Sequence, residues 1–234
     1  FGSGRYGDYG IPFRVVGRGQ NKVPVHFTAY GSESDRGPYP VPLGTRIEGG
    51  SDNHVIVVQK GSCRLYEMYR ARRGKGRWLA DSGAKFDLRS NALRPAGWTS
   101  ADAAGLPIYP GLAKAGEASN SRINHALRVT VEESQRGYVD PARHFASSSN
   151  DRSLPPMGLR LRLKAGYGLS GFSGQALAIM KAMKKYGLIV ADNGSDWFIS
   201  GTPDRRWDDD DLDQLKKVPG GAFEAVNTGP VHRD

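Results

Sequence analysis

A carboxylate and two imidazoles occupy positions that strand periodicity directs toward the interior of this chain. Alternate residues of a strand share one face; Glu67 falls within such an apolar pattern, while His54 and His125 begin two others. An unpaired polar group is costly to bury, so its presence on an apolar face indicates either a structural network or a functional site. We therefore treat these residues as candidates for a site.

Glu67 and the histidines could supply general acid–base chemistry. Burial in an apolar pocket raises the pKa of a carboxylic acid, and imidazole titrates near neutral pH. Glu67 beside His125 or His144 would form a proton donor and acceptor suited to the hydrolysis or lyase cleavage of glycosidic bonds. The sequence equally allows Glu67 to pair with an arginine while the histidines bond to backbone groups.

Other kinds of chemistry have weaker support in the sequence. His54, Glu67, His125 and His144 are suitable metal ligands, but their spacing matches no metal-binding motif. No nucleophile elbow is present. The single cysteine, Cys63, excludes an internal disulfide, and we expect it in the core. We predict neither a metal nor a cofactor.

A long segment at about residues 88–118 could contribute substrate contacts. It lacks a sustained helical or strand period, yet it is too apolar for a disordered linker, so we expect an ordered loop packed over a sheet. Trp98 and Tyr109 could stack against a sugar ring, with Asp102 hydrogen-bonding beside them. Alternatively, Trp98 anchors the loop to the core.

Basic residues are in excess, with 33 Lys and Arg against 24 Asp and Glu, for a net charge of +9. Leucines and cations alternate at residues 159–164, and this pattern is typical of a solvated outer strand face. If Arg128 and Arg143 lie near it, the basic strip would suit a uronic-acid polymer or another anionic glycan. Because no motif combines basic residues with stacking aromatics, we do not expect nucleic-acid binding.

Short strand candidates separated by Gly, Pro, Ser or Asn predict a mainly β fold, specifically an antiparallel β-sandwich or jelly roll. The candidates are residues 13–17, 23–30, 54–59, 63–72, 77–87, 125–132, 138–145, 159–165 and 197–201. Two short helices are predicted near the C-terminal end, one between Ser173 and Gly187 and one from Asp208 to Lys217. No apolar stretch is long enough to span a membrane.

The predicted organisation is a leader rich in Gly and Tyr at residues 1–10, followed by a single β-rich domain at residues 11–234. The leader could lie across its own domain, or it could dock on a neighbouring subunit as an added strand and so produce a homo-oligomer. Because the sequence begins with Phe1 instead of Met, we expect either a processed secreted protein or a fragment of a longer one.

Six segments between about residues 40 and 225 have distinctive sequences, namely IEGGSDNHVIVVQKGSCRLYE, FDLRSNALRPAGWTSADAAGLPI, INHALRVTV, PARHFASS, PPMGLRLRLKA and KKYGLIVADNGSDWFISG. They resemble those of an uncharacterised group of predicted secreted bacterial proteins. The resemblance implies an extracellular setting and a single domain. It brings no assigned reaction.

Two functions follow from the sequence. The first is a secreted, glycan-directed protein, a polysaccharide hydrolase or lyase whose partner is an anionic or neutral polysaccharide. Its catalytic residues would be Glu67, His125 and His144, and its substrate contacts His54, Trp98, Asp102, Tyr109, Arg128 and Arg143. The alternative is a structural or adhesive subunit of an extracellular filament or surface layer, joined through its leader. The enzyme is favoured because a building block has no need of polar groups at costly buried positions.

Overall fold

Three small sheets form the framework of the molecule. The computed structural model describes residues 1–7 and 9–233. The strands are β1 (Phe13–Val16), β2 (Val25–Phe27), β3 (Val55–Gln59), β4 (Arg64–Tyr69), β5 (Arg72–Gly74), β6 (Arg77–Ala80), β7 (Ser82–Asp87), β8 (Leu127–Val131), β9 (Arg160–Leu163), β10 (Leu188–Asn193) and β11 (Phe223–Val226). The α-helices are α1 (Ala115–Ser119), α2 (Gly174–Lys185) and α3 (Asp209–Leu212). Short 3₁₀ helices span Gly31–Glu33, Tyr109–Gly111, Asp213–Lys217 and Gly220–Ala222.

Each sheet combines parallel and antiparallel neighbours. The first sheet has the order β1-β3-β4-β7, the second β2-β6-β5 and the third β11-β9-β10-β8. β1 pairs in parallel with β3, β2 with β6 and β8 with β10, whereas the other pairs are antiparallel. The prediction of a mainly β fold with short helices is confirmed. The purely antiparallel arrangement is not confirmed, because three of the described strand pairs are parallel.

The first sheet is buried on both faces, and its alternating side chains supply two cores. One face packs against the second sheet through Val55, Val57, Met68, Trp78, Ala80 and Tyr39. On the other face, Ile56 and Leu65 pack against Ile108 and Leu112 of the 88–118 segment. That segment therefore covers this face of the sheet. Glu67 lies between Ile56 and Ala84 in one row of this face.

Helix α2 covers one face of the third sheet. Its apolar stripe consists of Ala176, Ile179, Met180 and Met183, which join the core formed with Leu127, Leu163, Leu188 and Val190. Ser173 precedes the helix as predicted, but the Ala176 N–H donates to Asp211 Oδ2 at 2.8 Å, so α3 supplies the cap. Gly187 follows the helix with φ +81°, and a Cβ there would lie 2.6 Å from the Leu161 carbonyl oxygen.

Some of the predicted elements are wrong. Residues 138–145 and 197–201 form isolated bridges at Tyr138 and Ile199, not strands, and Pro141 interrupts the first of them. The sequence patterns also missed β10 and β11. Cys63 is exposed with φ +51° in the turn that leads into β4, so the expectation of a core position is wrong as well.

The leader lies on its own chain. The Phe1 ring is 4.8 Å from the Trp207 ring, centroid to centroid. The Ser3 N–H donates to Asp209 Oδ1 at 2.8 Å, so the leader is tied to α3. Asp8 lies outside the described residues. In the part of the chain that the structure describes, no helix has the length and hydrophobicity to cross a membrane.

Candidate functional site

A cleft of about 870 Å³ lies where the leader, the turn at residues 48–54 and the third sheet meet. Its described lining contains six carboxylates, from Glu48, Asp52, Asp192, Asp196, Asp209 and Asp213. Only Arg128 and Lys216 oppose them among the arginines and lysines of that lining. We call this the acidic cleft, because its local charge is opposite in sign to the net charge of the chain.

His54 and Glu48 form a partly buried ion pair beside this cleft. His54 Nδ1 lies 2.5 Å from Glu48 Oε2, and His54 Nε2 lies 2.9 Å from the Ala101 carbonyl oxygen. A carbonyl can only accept, so Nε2 carries a proton. Burial acts to lower the pKa of His54, but the hydrogen bond and charge of Glu48 outweigh it and raise that pKa. Burial acts to raise the pKa of Glu48, and His54 lowers it nonetheless, so the pair is an imidazolium and a carboxylate.

The turn at residues 48–54 positions this pair and presents Asp52 to the cleft. The Glu48 N–H donates to the His54 carbonyl at 2.9 Å, while the His54 N–H donates to Glu48 Oε2 at 3.1 Å. Asn53 adopts φ +47°, a left-handed conformation that asparagine tolerates better than most residues. The Gly-Gly-Ser-Asp-Asn sequence at residues 49–53 is therefore suited to a tight loop that places His54 at the start of β3.

Arg128 of β8 is the central cation of the site. Its Nε and Nη2 donate to the two carboxylate oxygens of Asp102 at 3.0 and 2.8 Å, a bidentate arrangement. Nη2 also lies 3.1 Å from Asp192 Oδ2, and Nη1 donates to Ser200 Oγ at 2.5 Å. Burial acts to lower the pKa of Arg128, but the charge of Asp102 outweighs it and raises that pKa, so the guanidinium stays charged.

Asp192 is the carboxylate of the cleft with the most altered acidity. It lies on β10 after an irregularity in the pairing with β8, and its Oδ1 accepts the Asn193 N–H at 2.9 Å. Burial and then the charge of Asp102 raise the pKa of Asp192 to about 7, against the opposing effect of Arg128. Near neutral pH, both the protonated and the ionised forms of Asp192 are therefore populated, while the lowered pKa of Glu48 favours its ionised form. Carboxyl groups with divergent pKa values in one cleft are the usual basis of acid–base catalysis.

Exposed aromatic rings also line the acidic cleft. Tyr6 and Tyr9 come from the leader, and Trp197 and Phe198 come from the segment beside β8. Tyr9 and Phe198 are 63% and 65% exposed, so little of either ring is engaged by the protein itself. Large aromatic surfaces left open in a concave site indicate a ligand with flat apolar faces.

Glu67 does not belong to this cleft, which corrects its expected position beside His125 or His144. It is fully buried, and its carboxylate accepts the Ile108 and Tyr109 N–H groups, each at 2.9 Å. These N–H groups begin the 3₁₀ helix Tyr109–Gly111, so Glu67 anchors the 88–118 segment to the first sheet. Burial raises the pKa of Glu67 to about 7, although the two N–H groups act to lower it. Its burial is as expected, but its partners are backbone amides.

The other candidate histidines lie apart from Glu67 and have different carboxylate neighbours. His125 Nε2 is 3.0 Å from Glu117 Oε2, and His144 Nε2 is 3.9 Å from Glu33 Oε2. The predicted acid–base set is therefore not assembled. Nor is the metal set: among the described residues, no group of three or more His, Cys, Asp or Glu side chains is arranged to hold a metal ion.

The predicted sugar platform is not assembled in the acidic cleft either. The Trp98 ring lies 5.5 Å from the Arg94 guanidinium, and the Tyr109 ring packs edge-on against Phe13 at 4.9 Å. Arg143 Nε donates to the Arg94 carbonyl at 3.1 Å. Trp98, Tyr109 and Arg143 are all absent from the described lining of the cleft, because each is engaged in holding the 88–118 segment.

His54, Asp102 and Arg128 are the predicted site residues that the structure brings together around the acidic cleft. The sequence patterns missed Glu48 and Asp192. A signal for Asp192 was present, since the apolar run at residues 188–191 lies between Gly187 and an Asn-Gly pair, as expected of a buried strand. No comparable pattern distinguishes Glu48, whose role depends on the turn that returns it to His54.

Comparison with known proteins gives no indication of the function of this chain. No protein family, curated protein or solved structure matches the chain. The charges, aromatic rings and hydrogen bonds of the acidic cleft are therefore the basis of the functional proposal.

Proposed function

We propose that this chain is a glycan-directed hydrolase that cleaves neutral polysaccharides in the acidic cleft. The observation that carries the proposal is Asp192, a carboxyl group with a pKa of about 7 that lines an open cleft together with ionised carboxylates. We place the protein outside the cell, and that part of the proposal rests on the sequence resemblance.

Asp192 is the proposed proton donor. In its protonated form it would donate to the glycosidic oxygen as the bond to the anomeric carbon breaks. Asp52 is the proposed base, because it lines the same cleft and no cation is paired with its carboxylate among the described residues. Water would add to the anomeric carbon and give its proton to Asp52. Asp52 would then release that proton to solvent, and Asp192 would regain one, so that both groups return to their starting states.

The fixed charges around Asp192 suit a positively charged transition state. Cleavage of a glycosidic bond passes through an oxocarbenium-like species, which nearby carboxylates stabilise. The charge of Arg128 is offset by its bidentate ion pair with Asp102, and the charge of His54 is offset by Glu48. The uncompensated charge facing the substrate is therefore negative.

The negative charge of the acidic cleft also favours one of the two glycan classes expected from the sequence, which are anionic and neutral polysaccharides. An anionic polymer would be repelled by the six carboxylates of the lining, so a neutral glycan fits the cleft better. Lyase cleavage of uronic acids loses support for the same reason. Tyr9 and Phe198 offer exposed rings on which the apolar face of a neutral sugar can stack.

A role as an assembly subunit has less support. The leader that would join neighbouring copies is bound to its own chain through Phe1 and Ser3, and several of its residues form one wall of the acidic cleft. We therefore assign the leader to the substrate site and do not propose assembly as a second function.

The test is an assay of reducing-end release from neutral, cationic and anionic polysaccharides by the wild type and Asp192→Asn. We expect turnover of a neutral glycan, and a loss of about 10²–10⁴-fold in kcat for Asp192→Asn. Wild-type kcat/KM should fall as the pH rises above about 7, because Asp192 then loses the proton that it must donate.

Asp140→Asn is the matched control. Asp140 is an exposed carboxylate paired with Arg143, and it lies outside the described lining of the cleft, so activity should be unchanged. Circular dichroism and thermal melting would establish that both variants fold. Full activity of Asp192→Asn, or a best substrate that is anionic, would contradict the proposal.

A further inference from the structure

A second cleft of about 850 Å³ lies between the first and third sheets, and its lining has the opposite charge. Among the described residues that line it, the cations are Arg64, Lys85, Arg94, Arg128 and Arg160, and the carboxylates are Asp35, Asp87 and Asp102. We call this the basic cleft. Arg128 lines both clefts, so its ion pair with Asp102 stands between them.

The third sheet places two arginines in one row of this cleft. Ile189 of β10 is directly opposite Arg128 of β8 on one side and Arg160 of β9 on the other. Cross-strand partners share a face of the sheet, so the row presents an aliphatic side chain between two guanidinium groups. The opposite face of the sheet carries the core packed against α2.

Arg160 differs from Arg128 because its charge is not balanced. Arg128 contacts two carboxylates, whereas Arg160 Nη1 donates to the Tyr186 carbonyl and no ion pair to Arg160 occurs within the described part of the chain. Arg160 is half-buried, and a half-buried guanidinium retains donors that favour an anion. Among the described residues that line the basic cleft, the cations without an ion pair are Arg160 and Lys85, whose ammonium donates to the Arg36 carbonyl, and Arg160 is the one beside Ile189.

The walls of the basic cleft are aliphatic where those of the acidic cleft are aromatic. Leu88 and Leu93 line it and are 38% and 49% exposed, and Leu106, Pro107, Pro110 and Ile189 continue the surface. Exposed leucines beside a cavity of this size indicate a ligand with an apolar portion. Flexible aliphatic side chains suit an alkyl chain better than the flat face of a sugar.

We propose that the basic cleft binds a free aliphatic acid, with its carboxylate at Arg160 and its alkyl chain along Ile189, Leu88 and Leu93. Charge complementarity selects the anionic end, and burial of methylene groups against the leucines supplies most of the affinity. The site is separate from Asp192 and does not depend on the proposed hydrolase activity.

The experiment uses octanoate as the probe, with octanol as the neutral control of equal chain length and acetate as the control without a chain. Methyl groups of Leu88, Leu93 and Ile189 would be followed by NMR in the full chain during each titration. We expect saturable shifts with octanoate below its micelle concentration and little effect of acetate. Shortening the chain should weaken binding about fourfold for each methylene removed.

Substitution of Arg160 tests the anionic end. Arg160→Gln should weaken octanoate binding about tenfold, the effect of losing one charge-assisted hydrogen bond, and leave octanol binding unchanged. Arg162→Gln is the matched control, because Arg162 lies on the same strand, pairs with Glu224 and is absent from the described lining. Leu93→Ser, at an exposed position, should weaken octanoate and octanol alike without disturbing the fold.

Three results would overturn the proposal. The first is the absence of saturable octanoate shifts in the wild type. The second is equal binding of octanoate and octanol, which would mean that the surface is apolar without selecting a charge. The third is a shift pattern centred on Leu215 of the acidic cleft, which would place the ligand at the other site.

Discussion

The acidic and basic clefts share Arg128 but differ in almost every other property. Among the residues that the structure describes, Arg128 and Lys216 face six carboxylates in the acidic cleft, whereas five cations face three carboxylates in the basic cleft. The acidic cleft is rimmed by exposed aromatic rings, and the basic cleft by exposed leucines. The net charge of +9 therefore has the sign of the basic cleft and not of the acidic cleft, so a ligand class inferred from total charge alone would fit only one of them.

The difference arises from how the third sheet meets the first. Arg128 and Thr130 project from β8 on the same face; Asp192 lies opposite Thr130, and Ile189 opposite Arg128. The irregularity between Val190 and Asp192 thus occurs where the sheet passes from one cleft to the other. The one-residue change of register places Asp192 opposite Thr130, on the face of β8 that carries Arg128, and its carboxylate contacts Arg128.

Of the changes considered, replacement of Arg128 should have the largest effect on the two clefts. Arg128→Leu should lower the free energy of unfolding by about 3–5 kcal/mol, because Asp102 is 1% exposed and would be left without its cation. Urea denaturation at neutral pH measures the change. Both clefts should lose their ligands, since Arg128 lines each of them.

Two further variants show whether loss of the Arg128–Asp102 ion pair is the cause of the lower free energy of unfolding. Replacing Asp102 together with Arg128 by leucines should recover much of the stability, since no buried charge then remains unpaired. Arg162→Leu removes an exposed ion pair with Glu224 and should cost below about 1 kcal/mol. If Arg128→Leu were as stable as the wild type, the ion pair would have no structural role between the clefts.

The sequence predicted the strands that follow a simple period of two, and it failed where the chain leaves that period. The Leu65–Glu67–Tyr69 alternation correctly located β4, but periodicity cannot show that backbone N–H groups, not histidines, meet the carboxylate. β10 was missed because its apolar run from Leu188 to Ala191 shows no alternation of apolar and polar residues.

The candidate site was predictable in part for the same reason. His54 was identified because it begins an apolar pattern, and Arg128 as part of a predicted basic strip; both line the acidic cleft. Glu48 and Asp192 reach them through a closed turn and a strand irregularity, which are features of the folded chain. Arg128 pairs with Asp102, which is 26 positions away, and with Asp192, which is 64 positions away. A single sequence does not show which of its distant residues form such pairs.

A second prediction concerns Glu67, which supports the basic cleft alone. Its folded pKa of about 7 exceeds its ordinary value of 4.5, so between those pH values the folded chain holds a proton that the unfolded chain has released. Stability must then fall as the pH rises through this window. Relative to Glu67→Gln, the wild type should lose on the order of 3 kcal/mol between about pH 4.5 and 7.

Urea denaturation of both proteins at a series of pH values gives this difference, and Glu224→Gln, at an exposed position, is the control that should show no such trend. Glu67 holds the N–H groups that begin the 3₁₀ helix Tyr109–Gly111, and Pro110 and Gly111 line the basic cleft. Octanoate binding should therefore weaken in Glu67→Gln, whereas glycan hydrolysis should be retained. A stability difference that is constant with pH would show that Glu67 is not buried as an acid.

The smallest expected effect is a change in the pKa of Asp192 when Asp52 is replaced. Asp52 lines the acidic cleft and not the basic cleft. Its negative charge raises the pKa of Asp192 after burial and the charge of Asp102, so Asp52→Asn should lower that pKa slightly. Carboxyl-carbon NMR titration measures the pKa directly, even if the variant is inactive. Asp196→Asn removes another carboxylate from the same lining, one that accepts the Glu132 N–H, and should lower the pKa of Asp192 less than Asp52→Asn does. Equal shifts in both variants would mean that the general field of the cleft, and not Asp52 in particular, sets the acidity of Asp192.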